Sequence, residues 1–196
     1  MPDVSEDEIV EKQRRGVREA EDVLNLGCGY KRIEGAVNLD RARETKPDVV
    51  HDLNRRPWPF ADDCFAEVFA FDVIEHLDDV LATFEEIHRV CRHGAVVRVA
   101  VPHFSCANAY IDPTHRHFFS YFTPDYLTAG GDLDYYTRAR FRIRHRQIIF
   151  RPTALLSWLV WRLANRYPRE YEMRWAWMFP AFFLSFELEV LKAGAE

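Results

Sequence analysis

Short apolar runs alternate with longer segments of mixed polarity from residue 21 onward. This alternation is typical of strands and helices in an α/β sheet. The apolar runs that predict strands lie at residues 23–26, 36–39, 48–50, 66–71, 95–101, 140–150 and 185–191. Apolar residues at steps of three and four predict an amphipathic helix over residues 77–92 that Gly94 ends, and a second helix is predicted over residues 152–165. We expect a mostly parallel seven-stranded sheet with helices on both faces.

The length of the chain favours one domain with a short lead-in. With 196 residues, 48% of them hydrophobic, the chain can bury one large core. Residues 1–20 are charged and weakly patterned, so we expect a lead-in with a short helix over residues 8–20 and a domain over residues 21–196. Residues 102–131 are irregular and rich in histidine, aspartate, proline and aromatic residues. Because a loop this long is usually functional, we expect an insert that forms a lid over the substrate, above the carboxyl ends of the strands.

The charge of the chain argues against a nucleic-acid partner. A formal net charge of -5 gives no basic surface of the kind that such partners require. The local exception is a run of arginines at alternate positions from Arg138 to Arg146. Apolar residues and a histidine occupy the positions between them, which favours a strand with one solvated cationic face over a phosphate-binding surface. RNA as a substrate stays open.

Cysteine usage and terminal composition predict a cytoplasmic protein. The four cysteines form no C-x-x-C pair, so we expect reduced thiols. The acidic N-terminal residues lack the basic and apolar regions of a signal peptide. The most apolar segments, residues 153–164 and 175–186, are too short to span a bilayer. We therefore expect no transmembrane helix.

A glycine pair follows the first predicted strand, in the run Asn25-Leu26-Gly27-Cys28-Gly29. Glycines at this spacing permit a sharp turn and let the backbone approach a ligand. Asp40 ends the second predicted strand, where its carboxylate can accept hydrogen bonds from both hydroxyls of a ribose. Asp52 and Leu53 follow the third strand and offer an acceptor for an adenine amino group and an apolar contact for the ring. Three successive strand ends thus line one crevice, the usual place for a ligand in such sheets.

With these motifs in view, residues 22–128 resemble the class I methyltransferases, particularly the type 11 group. The resemblance rests on the runs NLGCG, NLD and HDLNRRPWPFADDCFAEVFAFDVIEHL, which occur in the order of the family. It implies a Rossmann-like fold, S-adenosylmethionine as the cofactor and an enzyme that transfers its methyl group.

The resemblance also implies a set of cofactor-binding residues. Backbone atoms of the glycine turn would hold the methionine portion, Asp40 the ribose, and the residues after the third strand the adenine. The implied residues are Asn25, Gly27, Cys28, Gly29, Asp40, Asp52, Leu53, Phe71 and Asp72. Two positions depart from the family, because Asn25 replaces the usual acidic residue and Lys31 replaces a third glycine. The short stretch between Gly29 and Asp40 further implies that the first helix is reduced to a loop.

The insert carries the candidate catalytic residues His103, His115 and His117. Methyl transfer from a sulfonium is an in-line displacement, so the enzyme supplies mainly positioning, exclusion of water and, in some cases, a general base. Histidine titrates near neutral pH and could take a proton from a hydroxyl, amine or thiol. The alternative is that these histidines hydrogen-bond within the loop and hold the lid.

Asp72, Glu75 and His76 form a D-x-x-E-H cluster. It is similar to the E-x-x-E-H metal sites of ubiquinone-pathway O-methyltransferases and of small-RNA 2′-O-methyltransferases. Together with His103 or His115 these residues could bind a divalent ion that polarises a substrate hydroxyl. Against a metal, the E-H-L segment is common in metal-free relatives, where it caps the following helix.

Aromatic residues crowd the C-terminal region. They are Trp158, Trp161, Trp175, Trp177, Phe179, Phe182 and Phe183. We favour a role in the core or in a homodimer interface. The alternative is a peripheral surface that rests on a membrane or receives a lipid-linked substrate.

We expect a methyltransferase that acts on an oxygen or nitrogen nucleophile of a small-molecule or envelope-linked acceptor. One alternative is a module that binds the cofactor without catalysis, and another is a metal-assisted O-methyltransferase, including one that modifies RNA 2′-hydroxyls. An NAD-dependent oxidoreductase is disfavoured, because the turn lacks the third glycine of G-x-G-x-x-G and Asp40 follows it too soon.

Overall fold

A seven-stranded sheet forms the centre of the molecule in the computed structural model, which describes residues 22–128, 135–151 and 155–192. The strands lie in the order β3-β2-β1-β4-β5-β7-β6. Their bounds are β1 Val23–Leu26, β2 Val37–Asp40, β3 Val49–Val50, β4 Phe65–Phe71, β5 Cys91–Pro102, β6 Phe141–Ile149 and β7 Phe183–Val190. The helix expected over residues 8–20 lies outside the described residues.

The first five strands run parallel, so their carboxyl ends lie at the same edge of the sheet. Strand β1 is buried along its whole length, as expected of a central strand that is covered on both faces. Strand β7 runs antiparallel to both β5 and β6. The predicted mostly parallel sheet of seven strands is therefore confirmed, and it is mixed because its last two strands form an antiparallel pair at one side.

Helix α1, Val80–Val90, connects β4 to β5. The Asp79 side chain caps it by accepting a hydrogen bond from Ala82 N at 2.9 Å. The prediction that Gly94 ends this helix is wrong, because β5 begins directly at Cys91. Gly94 has a φ of +75° and lies where the pairing of β4 with β5 shifts its register. The glycine therefore permits a bulge in the strand.

Within the described residues, three further α-helices follow β5. They are α2 Asn108–Ile111, α3 Leu155–Arg166 and α4 Pro168–Arg174. Helix α3 agrees with the helix predicted over residues 152–165, whose first three residues lie outside the described part of the chain. Helix α4 was not predicted, although Pro168 at its first turn is a residue favoured at that position.

The arginines of β6 pair with acidic residues of the same chain. Arg142 and Arg144 are exposed and both contact Glu189 on β7, at 3.1 Å and 3.4 Å. Arg146 contacts Asp125 at 2.6 Å. These contacts agree with a solvated strand face and leave little positive charge on it for a polyanion.

The aromatic C-terminal region divides into buried and exposed residues. Phe183 belongs to the core, whereas Trp158, Trp175 and Trp177 are 44%, 48% and 69% exposed. A core role is therefore wrong for these three tryptophans, which lie on and after helices α3 and α4. Across the described ranges, no helix combines the length and the apolar character needed to cross a membrane.

Candidate functional site

The turn after β1 is tightly packed against the end of β4. Gly27 has a φ of +59°, and a Cβ atom added there would lie 2.3 Å from Cγ2 of Val73. Gly29 has a φ of +48° and open space around it. Both glycines adopt a left-handed conformation, but only Gly27 also needs the absence of a side chain for packing.

A buried amide network takes the place of the first helix, as the short β1–β2 stretch predicted. Residues 27–36 contain only turns and irregular structure. The Nδ2 of Asn25 donates to Asn38 Oδ1 at 2.9 Å and to the carbonyl of Lys31 at 3.1 Å. Asn38 in turn accepts a hydrogen bond from Ile33 N at 2.8 Å and donates through Nδ2 to Asp48 at 2.9 Å. Side chains rather than a helix therefore hold this loop in shape.

Asp40 joins the ends of β1 and β2. Its Oδ2 accepts a hydrogen bond from Gly29 N at 2.8 Å, and its Oδ1 accepts one from Ala42 N at 2.8 Å. Each carboxylate oxygen has two acceptor sites, so both retain capacity for a ligand hydroxyl.

Asp52 and Leu53 lie after β3. Asp52 accepts a hydrogen bond from Asn54 N at 3.0 Å, and Leu53 is buried with its carbonyl bonded to Trp58 Nε1 at 3.1 Å. Their backbone follows the third parallel strand and ends on the same side of the sheet as Asp40.

A cleft of about 210 Å³ opens at the carboxyl ends of β1 and β4. Its lining residues are Asn25, Gly27, Cys28, Gly29, Lys31, Ile33, Phe71 and Asp72. The cleft thus brings together the predicted residues of β1 and β4, whereas Asp40, Asp52 and Leu53 lie outside its lining. Because ligand sites usually measure about 300–1,000 Å³, the cleft fits one end of a nucleotide-like cofactor and leaves the rest along the ends of β2 and β3.

Lys31 and Asp72 form an ion pair at the cleft. Lys31 Nζ lies 3.7 Å from Asp72 Oδ2. Asp72 has a φ of +52°, a strained value for a residue with a side chain, and its backbone N–H donates to Ala100 O at 3.0 Å. In the sequence Lys31 stands out only as a departure from the family, and in the structure its charge lies against Asp72, the cleft residue that follows β4.

The insert after β5 is anchored on the segment that follows β4. The backbone N–H groups of Arg116 and His117 donate to the carbonyl of Glu75 at 2.8 Å and 3.3 Å. Nε2 of His117 lies 2.9 Å from the carbonyl of Leu77. This anchoring brings His115 to the Glu75–His76 pair, where one potential ligand atom of each residue lies within 4.8 Å of the others.

Glu75 is buried with an exposed fraction of 1%, and burial raises its pKa to about 8. The charges of Asp72 and Asp112 contribute to this rise in the pKa. Burial lowers the pKa of His76, and the neighbouring His115 acts in the same direction. Both pKa shifts, upward for Glu75 and downward for His76, therefore favour the neutral form of the side chain.

His103 lies in a buried hydrogen-bond network. It is fully buried, its Nδ1 accepts a hydrogen bond from Ser105 N at 3.1 Å, and its Nε2 donates to Glu172 Oε1 at 3.2 Å. Burial raises the pKa of Glu172, but hydrogen bonds from His103, Ser120 and Tyr121 outweigh it and lower the pKa overall. Both ring nitrogens of His103 make hydrogen bonds, and His103 does not line the cleft. This is the environment expected of a histidine that holds the loop.

Comparisons with known proteins agree with this geometry. Residues 17–99 match the type 11 family model, which is described as a methyltransferase domain. The search of curated proteins finds no match.

Several solved structures share the fold. An S-adenosylmethionine-dependent methyltransferase from Archaeoglobus fulgidus is 19% identical, with a TM-score of 0.60 over 94% of each chain. One from Mesorhizobium loti is 16% identical, with a TM-score of 0.56 over 94% of this chain and 98% of that one. A protein from Haloferax volcanii, solved in complex with the Trm112 methyltransferase activator, is 18% identical, with a TM-score of 0.59 over 93% of this chain and 89% of its own.

The family match covers the strands that form the cleft, and the fold of the remaining chain is that of the same class. The expected Rossmann-like fold is thereby confirmed, and with it S-adenosylmethionine as the cofactor. The family match and the fold together support a class I S-adenosylmethionine-dependent methyltransferase of the type 11 group.

Proposed function

We propose that the enzyme transfers the methyl group to an oxygen or nitrogen nucleophile of a small-molecule or envelope-linked acceptor that binds against the insert. The observation that supports this acceptor class is an apolar surface beside His115. Tyr110, Ile111 and Phe118 are 53%, 71% and 50% exposed, and the rings of Tyr110 and Phe118 stack at 4.7 Å. Helix α2 joins this surface to the histidine, because His115 Nδ1 lies 3.1 Å from the carbonyl of Ala109. An acceptor with an apolar body would cover this surface.

The cofactor would lie across the ends of the parallel strands, with its methionine portion in the cleft. We assign the turn residues Gly27, Cys28 and Gly29 to backbone contacts with that portion, and Phe71 to its apolar wall. The carboxylate and ammonium groups of the methionine end would meet the oppositely charged partners of the Lys31–Asp72 pair.

The ribose and adenine would lie beyond the cleft. Asp40 retains an acceptor site on each oxygen for the ribose hydroxyls, as its two backbone hydrogen bonds leave room for two more. Asp52 and Leu53 would contact the adenine. Asn25 would contribute through the loop that its amide braces, since its Nδ2 is engaged by Asn38 and Lys31.

We assign activation of the acceptor to the cluster of Glu75, His76 and His115. The acceptor attacks the methyl carbon, its new bond forms as the carbon–sulfur bond breaks, and its proton leaves to a base or to solvent. His103 and His117 hold the insert in place through their hydrogen bonds. The insert over residues 102–131 would then exclude water from the reacting atoms.

Calorimetry tests the cofactor assignment. S-adenosylmethionine and its demethylated product should bind, and Asp40→Ala should weaken binding at least tenfold through loss of the ribose contacts. Asp62→Ala is the matched control, because Asp62 precedes β4 and pairs with Arg89 at the opposite end of that strand. Tight binding of NAD, or equal affinities of the two variants, would overturn the assignment.

Radiolabel transfer tests the acceptor class. The enzyme is incubated with S-adenosylmethionine that carries a labelled methyl group and with two acceptor pools, water-soluble metabolites and extracted envelope lipids. We expect label in an acceptor of either pool, and loss of transfer with His115→Ala at unchanged cofactor affinity. Transfer to RNA but to neither pool would contradict the proposal, and cofactor binding without any transfer would favour the non-catalytic module.

A further inference from the structure

The carboxylate of Glu75 has no partner in its buried site. The residue is only 1% exposed, and neither carboxylate oxygen has a hydrogen-bond partner among the described residues. A buried carboxylate without a partner is costly, and such groups in native proteins normally have an explanation. The explanation has to come from what surrounds the carboxylate.

The two neighbouring imidazoles present lone pairs rather than protons. Thr114 Oγ1 donates its single proton to Asp112 Oδ1 at 2.7 Å, so it can only accept from His76 Nδ1, which lies 2.8 Å away. His115 Nδ1 faces the carbonyl of Ala109 at 3.1 Å, an atom that can only accept. Both rings therefore carry their proton on Nδ1, which leaves Nε2 as an acceptor.

When Glu75 is ionised, three acceptors thus converge without a donor among them. One potential ligand atom from each of Glu75, His76 and His115 lies within 4.8 Å of the others, and the two rings meet edge to face at 4.5 Å. A cation at the centre satisfies all three at once. We propose that Glu75, His76 and His115 bind a divalent transition-metal ion.

The donor set selects the class of ion. Two imidazole nitrogens and one carboxylate suit Zn²⁺, Mn²⁺, Fe²⁺ or Co²⁺, whereas Mg²⁺ and Ca²⁺ prefer oxygen ligands. The hydrogen bonds that each histidine makes through Nδ1 are of the kind that orients a metal ligand. The backbone around the site is also fixed, since Arg116 N donates to the Glu75 carbonyl at 2.8 Å and holds the insert against it.

Three protein ligands leave a coordination position open. Resting on the proposed function, this position would take the acceptor oxygen, and the ion would lower the pKa of a bound hydroxyl. The carbon–sulfur bond of the cofactor breaks as the carbon–oxygen bond forms, and the hydroxyl proton passes to solvent. The metal proposal thereby narrows the acceptor to a hydroxyl compound.

The test titrates the full-length protein, freed of metal by a chelator, with Co²⁺ and follows the visible absorption of the bound ion. We expect one Co²⁺ per chain, displaced by Zn²⁺ but not by a tenfold excess of Mg²⁺. Glu75→Gln and His115→Gln should each weaken Co²⁺ binding at least tenfold. His93→Gln is the matched control, because His93 is exposed at the start of β5, outside both the insert and the cluster, and the affinity of this variant for Co²⁺ should equal that of the wild type.

Circular dichroism establishes which variants fold, and the cluster offers two independent ligand variants in case one of them does not. Absence of Co²⁺ binding, or binding that survives both ligand substitutions, would overturn the proposal, as would an equal loss in the His93 variant. Calorimetry with S-adenosylmethionine on the same variants keeps the two proposals apart. Failure of the metal site would leave cofactor binding intact, whereas failure of the cofactor assignment would leave Co²⁺ binding intact.

Discussion

Substitution of Gly27 by alanine tests whether the turn after β1 is set by the packing of β4 against it. The added Cβ atom would lie 2.3 Å from Val73 Cγ2 and would occupy a φ of +59°. The left-handed conformation costs about 1–2 kcal/mol for a residue with a Cβ atom. Overpacking adds about 1–3 kcal/mol, so we expect Gly27→Ala to lower the free energy of unfolding by about 2–5 kcal/mol.

Gly29→Ala supplies the internal control for this prediction. Gly29 has a φ of +48° but no atom within 4 Å of the added Cβ, so the backbone cost applies without the clash. Its free energy of unfolding should fall by only about 1–2 kcal/mol. The effect of alanine on the unfolded chain is shared by both variants and cancels in the comparison.

Urea denaturation measures both variants, and Val73→Ala completes a double-mutant cycle with Gly27→Ala. The second substitution removes Cγ2, the nearest atom at 2.3 Å, but keeps the Val73 Cβ atom at 2.8 Å, so it relieves only part of the clash. The cycle should therefore give a coupling energy in favour of the double variant that is smaller than the full overpacking cost of about 1–3 kcal/mol. If Gly27→Ala costs no more than Gly29→Ala, or if the cycle shows no coupling, the close approach of β4 to the turn is not what requires the glycine.

Three carboxylates that differ in burial give further predictions. Burial raises the pKa of Glu75 from near 4.5 to about 8. The contribution of the protonated carboxyl to the free energy of unfolding is therefore fully present below pH 4.5 and is lost as the pH rises towards 8. In chelator, the wild type should therefore lose about 3 kcal/mol more stability than Glu75→Gln between about pH 5 and pH 8, and parallel curves by urea denaturation would contradict this. Glu172→Gln should cost about 1.5–3 kcal/mol in thermal denaturation because it removes the charge of the carboxylate that accepts the buried hydrogen bond of His103, whereas a loss no greater than that of the exposed Glu170→Gln would refute that role. Glu189→Gln should cost less than about 1 kcal/mol because its two arginine partners are exposed, a value that the same denaturation experiment checks against the wild type.

Local patterns predicted the parallel half of the sheet well. Strand β1 agrees with its prediction at both ends, because a short apolar run meets a glycine turn that no helix could continue. Gly94 was misinterpreted because a glycine after a helical pattern indicates a helix end, and the bulge that it serves depends on pairing with a distant strand. Periodicity carries no information about such pairing.

The candidate site was predictable only in part for the same reason. The turn and Asp40 follow from motifs, since each stands at a recognisable strand end. The sequence left His103 and His115 as equal candidates beside Glu75, and the fold of the insert separates them by placing one in a buried network and the other at the cluster. The missing partners of the Glu75 carboxylate depend on the whole surrounding structure, so no motif could show them.

The loop between β1 and β2 has a consequence for the electrostatics of the cofactor site. A helix that begins at a ligand-binding turn offers the positive end of its macrodipole, a fixed partial charge built from backbone N–H groups. In this chain turns occupy that stretch, and one nearby positive charge is the ammonium of Lys31, which pairs with Asp72 and whose side chain is 46% exposed. A backbone dipole cannot be substituted away, whereas a lysine side chain can be mutated, acetylated or screened by dissolved ions. The attraction of this site for an anionic group is therefore tunable by a single residue and by the salt content of the surroundings.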